Sequence, residues 1–345
     1  AKLQELIQHL NALLASETLR YEVIENELVE IKEKYADERR TRIIKMATEF
    51  NPEDMYADDD MVITISHLGY IKRTPLADFR QQGRGGVGAK ASAARDEDFI
   101  EYVHQANMHS TMMFFTEQGR LYWIKVYEIP EGNRQSKGRA LQNMINIQKG
   151  DKVCAFIHVK NLNDQEYVQN HYLIFATKNG LMKKTTLESY SRPRANGIIA
   201  LGLREDDRLI RVTLTDGNSQ MLVASYNGKV VRFPEDTVRP MGRTATGVRA
   251  IKLDEDGQDR VIGMICVEES SKESVLVISE KGFGKRTDLD DENGEPIYRV
   301  TNRGGKGVKT MNLTDKTGNL IGLEAVTDEQ DLMLITKSGT AIRMA

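Results

Sequence analysis

Cysteine, tryptophan and proline are scarce in this chain, with 2, 1 and 7 copies among 345 residues. Two thiols cannot build a disulfide framework. Cys154 and Cys266 lie in apolar strand-like runs, KVCAFIHV and VIGMICVE, which marks them as buried thiols and not as a metal or redox pair. Long apolar stretches are also missing: the longest are strand-sized and broken by charge, so no membrane span is expected. The first residues lack the basic, apolar and small-residue regions of a signal peptide, and the cytosol is the expected compartment.

What is present suits a soluble fold of about two domains, since 40% of the residues are apolar. The net charge of -3 hides an asymmetry. Residues 1–60 carry 8 Lys and Arg against 15 Asp and Glu, whereas residues 61–345 carry 40 against 36.

From Leu3 to Tyr35 apolar residues return every seven positions: Ile7, Leu14, Tyr21, Leu28 and Tyr35 in one column, Leu3, Leu10, Ile24 and Ile31 in the other, with Glu17 as the break. The spacing predicts one helix of a coiled coil over residues 1–50, the cut end of a larger domain, whose partner helix this chain does not supply. Asn51-Pro52 is expected to stop the helix, and residues 51–60 form an acidic linker.

Beyond residue 60 the chain repeats. Six copies begin with a strand, a glycine turn and a second strand, as in VITISHLGYIKRT and MLVASYNGKVVRF; the turn glycines are Gly69, Gly119, Gly180, Gly228, Gly282 and Gly339. A second glycine follows in the first five copies, at Gly88, Gly138, Gly197, Gly247 and Gly307. Repeats of this length accommodate four-stranded blades, with boundaries near 61–110, 111–170, 171–219, 220–272, 273–329 and a truncated sixth at 330–345.

The stretch QQGRGGVGAK at 81–90 matches G-x-G-x-x-G through Gly83, Gly85 and Gly88 and nearly matches a P-loop. Both motifs need a helix after the glycines to receive phosphate at its N-terminus, and here an alternating strand pattern, DFIEYVHQA, comes next. A nucleotide loop is therefore set aside. Two readings remain: a plain turn between strands, or backbone that approaches a phosphate while arginine supplies the counter-charge.

Charge register favours the phosphate. Four places after each turn glycine stand Arg73, Lys184, Arg232, Arg286 and Arg343, with Trp123 breaking the row, and Lys72, Lys183 and Lys285 precede three of them. Lys137, Arg139, Arg192, Arg194, Arg243, Arg249, Arg303, Lys306 and Lys309 cluster near the second glycines. On a propeller these cations are expected around the rim, where they would hold a bent duplex. Base-specific reading is not expected, because no recognition helix and no zinc-finger spacing occurs.

These residues resemble a known family, the C-terminal DNA-wrapping domain of the bacterial DNA gyrase A subunit with the end of its coiled-coil helix before it. VIENELVEIKEKYADERRTRI is similar to that helix, ISHLGYIKRTP to the first blade and GKVVRFPEDTVRPMGRTATGVRAI to the fourth. The resemblance implies a mostly β, six-bladed β-pinwheel with an N-terminal coiled-coil helix. It identifies Gln82, Gly83, Arg84, Gly85, Gly86, Val87 and Gly88 as the DNA-binding box, Q-R-R-G-G-K/R-G in the family. Gly83 and Val87 stand where the family has cations.

The resemblance further implies non-sequence-specific wrapping of double-stranded DNA for ATP-dependent negative supercoiling. The implied partners are a gyrase B subunit plus a second A subunit in an A2B2 holoenzyme, with ATP and Mg²⁺ acting on the partner subunit. The family's breakage tyrosine follows an arginine, but Arg20-Tyr21 belongs to the heptad pattern, and Asp58 to Asp60 read as solvated linker and not as a metal site. The chain is thus expected to carry no catalytic residue, no metal site, no cofactor and no membrane contact. Two alternatives stand: the topoisomerase IV A subunit, and a propeller that binds protein.

Overall fold

The computed structural model describes residues 2–38, 40–41, 52–78, 98, 100–133, 136–255, 257–268, 273–330, 332–335 and 341–344, the last two segments for their backbone. The chain divides into two compact units, Ala1–Asn51 and Pro52–Ala345.

In the first unit, where one long helix is expected over residues 1–50, the described residues hold two, α1 (Lys2–Ala15) and α2 (Glu17–Tyr35), and residues 42–50 lie outside the described residues. Ser16 interrupts them in extended conformation, and its hydroxyl accepts the Leu19 N–H at 3.4 Å, the usual office of an N-cap serine. Arg20 then donates to the Leu13 and Leu14 carbonyls at the end of α1. The break falls beside Glu17, where the heptads also fail. Ala36, extended at ψ 129°, ends α2 well short of residue 50. Leu14, Tyr21 and Leu28 remain more than half exposed, so the apolar seam is uncovered in this chain.

The second unit is built of antiparallel sheets. β1 (Asp60–Ser66), β2 (Tyr70–Pro75) and β3 (Ile100–Asn107) form the first sheet, in the order β3-β1-β2-β6, where β6 (Arg139–Ala140) comes from the second copy. β4 (Thr111–Thr116), β5 (Arg120–Lys125) and β7 (Val153–Val159) are joined by β10 (Ile198–Ile199). A short helix, α3 (Gln165–Asn170), leads to β8 (Tyr172–Thr177), β9 (Leu181–Thr186) and β11 (Leu209–Thr215), which gain β14 (Val248–Arg249). β12 (Gln220–Ser225), β13 (Lys229–Pro234) and β15 (Val261–Val267) gain β18 (Val308–Lys309). β16 (Ser274–Ser279), β17 (Gly284–Asp288) and β19 (Leu320–Val326) form a three-stranded sheet, and β20 (Leu332–Ile335) pairs only with β21 (Ala341–Met344).

The expectation of a six-bladed pinwheel is therefore overturned: the fold has five blades, and the sixth copy supplies one hairpin. The reason lies in the supply of strands. The first four blades each take a fourth strand from the second glycine element of the following copy, the fifth stands with three, and among the described residues the sixth copy, 330–345, has only the pair β20 and β21.

Both faces of the central strands are covered, which is why they read as unbroken apolar runs. Successive side chains alternate between faces. Met112 and Phe114 therefore join a core with Met61, Ile63 and Ile65 of the first blade, while Met113 and Phe115 join Leu173 and Phe175 of the third. The next two joints repeat the pattern, with Met221 and Val223 facing back and Leu222 and Ala224 facing forward. The third strands β7, β11, β15 and β19 pack against one another in succession, which leaves the exchanged short strands at the opposite edge of each sheet.

The linker residues from Pro52 onward are not a free tether. Glu53 pairs with Lys125, the Tyr56 ring stacks on Tyr127 with centroids 5.2 Å apart, and the His109 N–H donates to Asp58 at 3.0 Å.

Candidate nucleic-acid interface

Gln82, Gly83, Arg84, Gly85, Gly86, Val87 and Gly88 lie outside the described residues. Their counterparts in the next four copies are described, and they explain the second glycine. Gly138, Gly197 and Gly307 each sit one residue before an exchanged strand at positive φ, and a Cβ on Gly307 would lie 2.6 Å from the Val230 carbonyl oxygen of β13. Only glycine brings the crossing backbone this close to the neighbouring blade. The series thus has a structural use in strand exchange, whatever else the loops hold.

The cations four places after the turn glycines are not together on an open rim. Arg73, Lys184 and Arg232 are 7%, 5% and 6% exposed. Each is paired across a joint: Arg73 with Glu131 at 3.0 Å, Lys184 with Glu235 at 2.8 Å and Arg232 with Asp290 at 3.2 Å. Arg73 also donates to the Tyr127 and Ile129 carbonyls, and Glu235 accepts the Thr215 hydroxyl at 2.7 Å. Backbone follows the same route, the Thr301 N–H donating to the Arg232 carbonyl at 2.9 Å. Trp123, which breaks the row, packs against the core between the second and third blades. Arg286 is exposed and pairs with Asp328; of the Arg343 side chain nothing is described.

The preceding lysines are also drawn inward in two copies. Lys72 is buried, and its Nζ donates to the Asn133 and Ser136 carbonyls at 3.1 and 2.9 Å, while burial lowers its pKa. Lys183 has no exposed surface, and burial together with the nearby Arg243 charge brings its pKa down to about 7. Lys285 is exposed and donates to the Thr310 carbonyl at 3.1 Å.

The remaining predicted cations do face solvent. Lys137 precedes β6 and Arg139 opens it, Arg192 and Arg194 precede β10, and Arg249 and Lys309 take the second places of β14 and β18; all are exposed or partly so. Arg303 and Lys306 are exposed on the approach to β18, with the Arg303 Nε bonded to the Thr237 carbonyl at 3.1 Å, and Arg243 is half-buried. Arg303 also lines an open cleft with Asp236, Thr237, Arg239, Met241 and Val248. Arg239 had no place in the register read from the sequence, nor did Glu131, Glu235 or Asp290, because each lies in a loop of different length.

No group of three metal-ligating side chains occurs among the described residues, and no helix there is long and apolar enough to cross a membrane. Both cysteines are free; the Cys154 thiol points at the Phe115 carbonyl, and burial raises the pKa of both thiols, that of Cys266 to about 12.

Against known proteins, the model for the DNA gyrase C-terminal domain, beta-propeller, matches residues 60–107, 110–160, 171–216, 220–268, 273–327 and 330–345. The DNA gyrase A subunit of Staphylococcus epidermidis is 41% identical over 344 residues, 99% of this chain and 37% of that protein. Its Staphylococcus aureus counterpart is 41% identical over 339 residues, 98% of this chain and 37% of its own length. The chain thus spans little more than a third of these relatives. Among solved structures, the crystal structure of the C-terminal domain of DNA topoisomerase IV has a TM-score of 0.67 at 24% identity, covering 84% of each chain. The DNA gyrase A C-terminal domain follows at 0.62 and 23%, covering 83% of this chain and 89% of that one. Both likenesses concern the fold. With the family model matched through all six copies and two-fifths of the residues shared with gyrase A subunits, this chain belongs to the family of bacterial DNA gyrase A C-terminal domains.

Proposed function

We propose that residues 61–345 bind double-stranded DNA along their outer edge without reading bases, and bend it into a wrap that presents a second DNA segment for supercoiling by a gyrase holoenzyme. One observation carries this reading: Lys137, Arg139, Arg192, Arg194, Arg249, Arg303, Lys306 and Lys309 keep surface open beside the exchanged strands, while Arg73, Lys184 and Arg232 are engaged between blades. Cations that flank successive edge strands suit a phosphate backbone crossing blade after blade. Smooth bending of a short duplex costs on the order of 1–10 kcal/mol, so many such contacts must act together.

Cleavage, strand passage and ATP hydrolysis belong on this reading to the rest of the assembly: the remainder of the A subunit, a second A subunit and the B subunits. The isolated chain is expected to have none of these activities and to bind DNA without nucleotide or divalent ion. A duplex series of increasing length at two salt concentrations tests the binding, with log affinity expected to fall by about 0.9 per phosphate contact for each tenfold rise in salt. Ligase closure of nicked circles tests the wrap. Affinity that does not grow with length, or closed circles without a linking-number shift, would reject wrapping, and absence of binding would favour a protein-docking propeller.

A further inference from the structure

The third place after the turn glycine holds lysine in copies one, three and five, and Lys183 shows what it does there. Its Nζ reaches the Ala200 carbonyl at 2.5 Å, the Arg243 carbonyl at 2.6 Å, and the Gly242 carbonyl and Tyr190 hydroxyl at 3.4 Å each, over the Phe175 ring at 4.9 Å. No carboxylate is among these partners. Burying an ammonium costs several kcal/mol unless polar groups replace its water, and an apolar side chain fills the same place in copy four, where Val231 stands. Packing alone does not account for the lysine.

Its effect falls on the loops. Ala200 follows β10, and Gly242 and Arg243 belong to the loop that leads into β14 of the next copy. Lys72 does the same two joints earlier, through Asn133 and Ser136 before β6. Loop carbonyls bonded to a buried ammonium cannot present their negative ends to an approaching anion. The Arg243 and Thr244 N–H groups of the same loop have no acceptor among the described residues, and Thr244 is exposed. Free N–H groups backed by a positive charge suit phosphate oxygens.

We propose that Lys183 and Lys72 are positioning residues for phosphodiester groups, each gathering the carbonyls of the loop before the exchanged strand so that the loop N–H groups and Arg243, or Lys137 and Arg139, meet the DNA backbone. This rests on the DNA reading above. The groups facing the Lys183 ammonium are the Tyr190 hydroxyl from the helical turn after β9, the Phe175 ring from β8, and Arg243 from the loop. Phosphate beside Arg243 offsets the repulsion that helps bring Lys183 down to about 7, so DNA binding takes up a proton.

The test uses the whole chain, a duplex of fixed length, and Lys183→Met and Lys72→Met, each checked for cooperative unfolding. Both variants are expected to lose about tenfold in affinity, a factor that corresponds to one displaced charge-assisted contact. From about pH 7 to pH 9, above the histidine range, wild-type affinity falls as Lys183 loses its proton, and Lys183→Met is flat. A purely structural lysine would leave no such difference in profile. Wild-type affinity in both variants, or a wild-type pH profile in Lys183→Met, overturns the proposal. If Lys183→Met does not fold, Lys72→Met decides by its affinity. A wild-type chain that binds no duplex removes the DNA reading itself, and this proposal with it.

Discussion

Replacement of Gly307 by alanine isolates the cost of strand exchange. Gly307 has φ +76°, and an added Cβ would stand 2.6 Å from the Val230 carbonyl oxygen, 2.8 Å from its carbon and 3.0 Å from the Val231 Cγ2. Two of these atoms are backbone in the middle of a blade, so the crossing strand must move instead. The left-handed conformation itself costs alanine roughly 1–2 kcal/mol, partly offset by about 0.4–1 kcal/mol from the stiffer unfolded chain. Moving β18 outward breaks its pairing of Val308 with Val230 and of Lys309 with Lys229, and the Thr310 N–H bond to the Gly228 carbonyl at 2.9 Å. At about 1 kcal/mol per hydrogen bond, the lost ladder adds roughly 2–3 kcal/mol. Gly282→Ala is the control: φ is +81° in the hairpin turn of the same copy, and nothing lies within 4 Å of the added Cβ. Urea unfolding at equilibrium is expected to show a loss of about 3–4 kcal/mol for Gly307→Ala and about 1 kcal/mol or less for Gly282→Ala. Equal losses would mean that the backbone approach at Gly307 carries no energy, and the account of the second glycine series would fail.

Lys184→Met leaves the Glu235 carboxylate, whose side chain has 0% exposure, without its cation; stability should fall by about 3–5 kcal/mol while the folded fraction keeps wild-type duplex affinity, and lost affinity at full folding would return Lys184 to the DNA contacts. Arg249→Ala and Arg303→Ala should each weaken binding several-fold and reduce the salt slope by about 0.9, measured by titration at several salt concentrations; an unchanged slope would exclude a phosphate contact. Folding stability should rise between about pH 7 and the ordinary lysine range as protons leave the unfolded chain less readily than the folded one, because the unfolded chain there keeps a proton on Lys183 that the folded chain has released. Thermal melts of wild type and Lys183→Met across that range check the sign, and identical slopes would refute it. Cys154 and Cys266 should resist alkylation near neutral pH until the chain unfolds, since burial holds both thiols protonated; rapid native labelling would contradict the packing.

Short-range order was legible in the sequence. The apolar strands, the glycine at the end of the first five hairpin turns and the recurrence of a second glycine all follow from backbone sterics and local pattern, which act between neighbours in the chain. What the sequence did not disclose is where each element pairs its free edge. That Gly138, Gly197 and Gly307 also serve strand exchange is seen only when β6, β10 and β18 are found paired to the preceding blade. Six copies read as six blades because counting hairpins cannot reveal which of them find further strands: the fifth gains β19 and stands as a blade of three, while β20 pairs only with β21. The cations at Arg73, Lys184 and Arg232 share one register in sequence, but their acids Glu131, Glu235 and Asp290 stand 58, 51 and 58 residues away in loops of unequal length. Only the packing of one blade on the next closes those distances, and it turns a row of charges that alternation alone would send to solvent into the joints that hold the blades together.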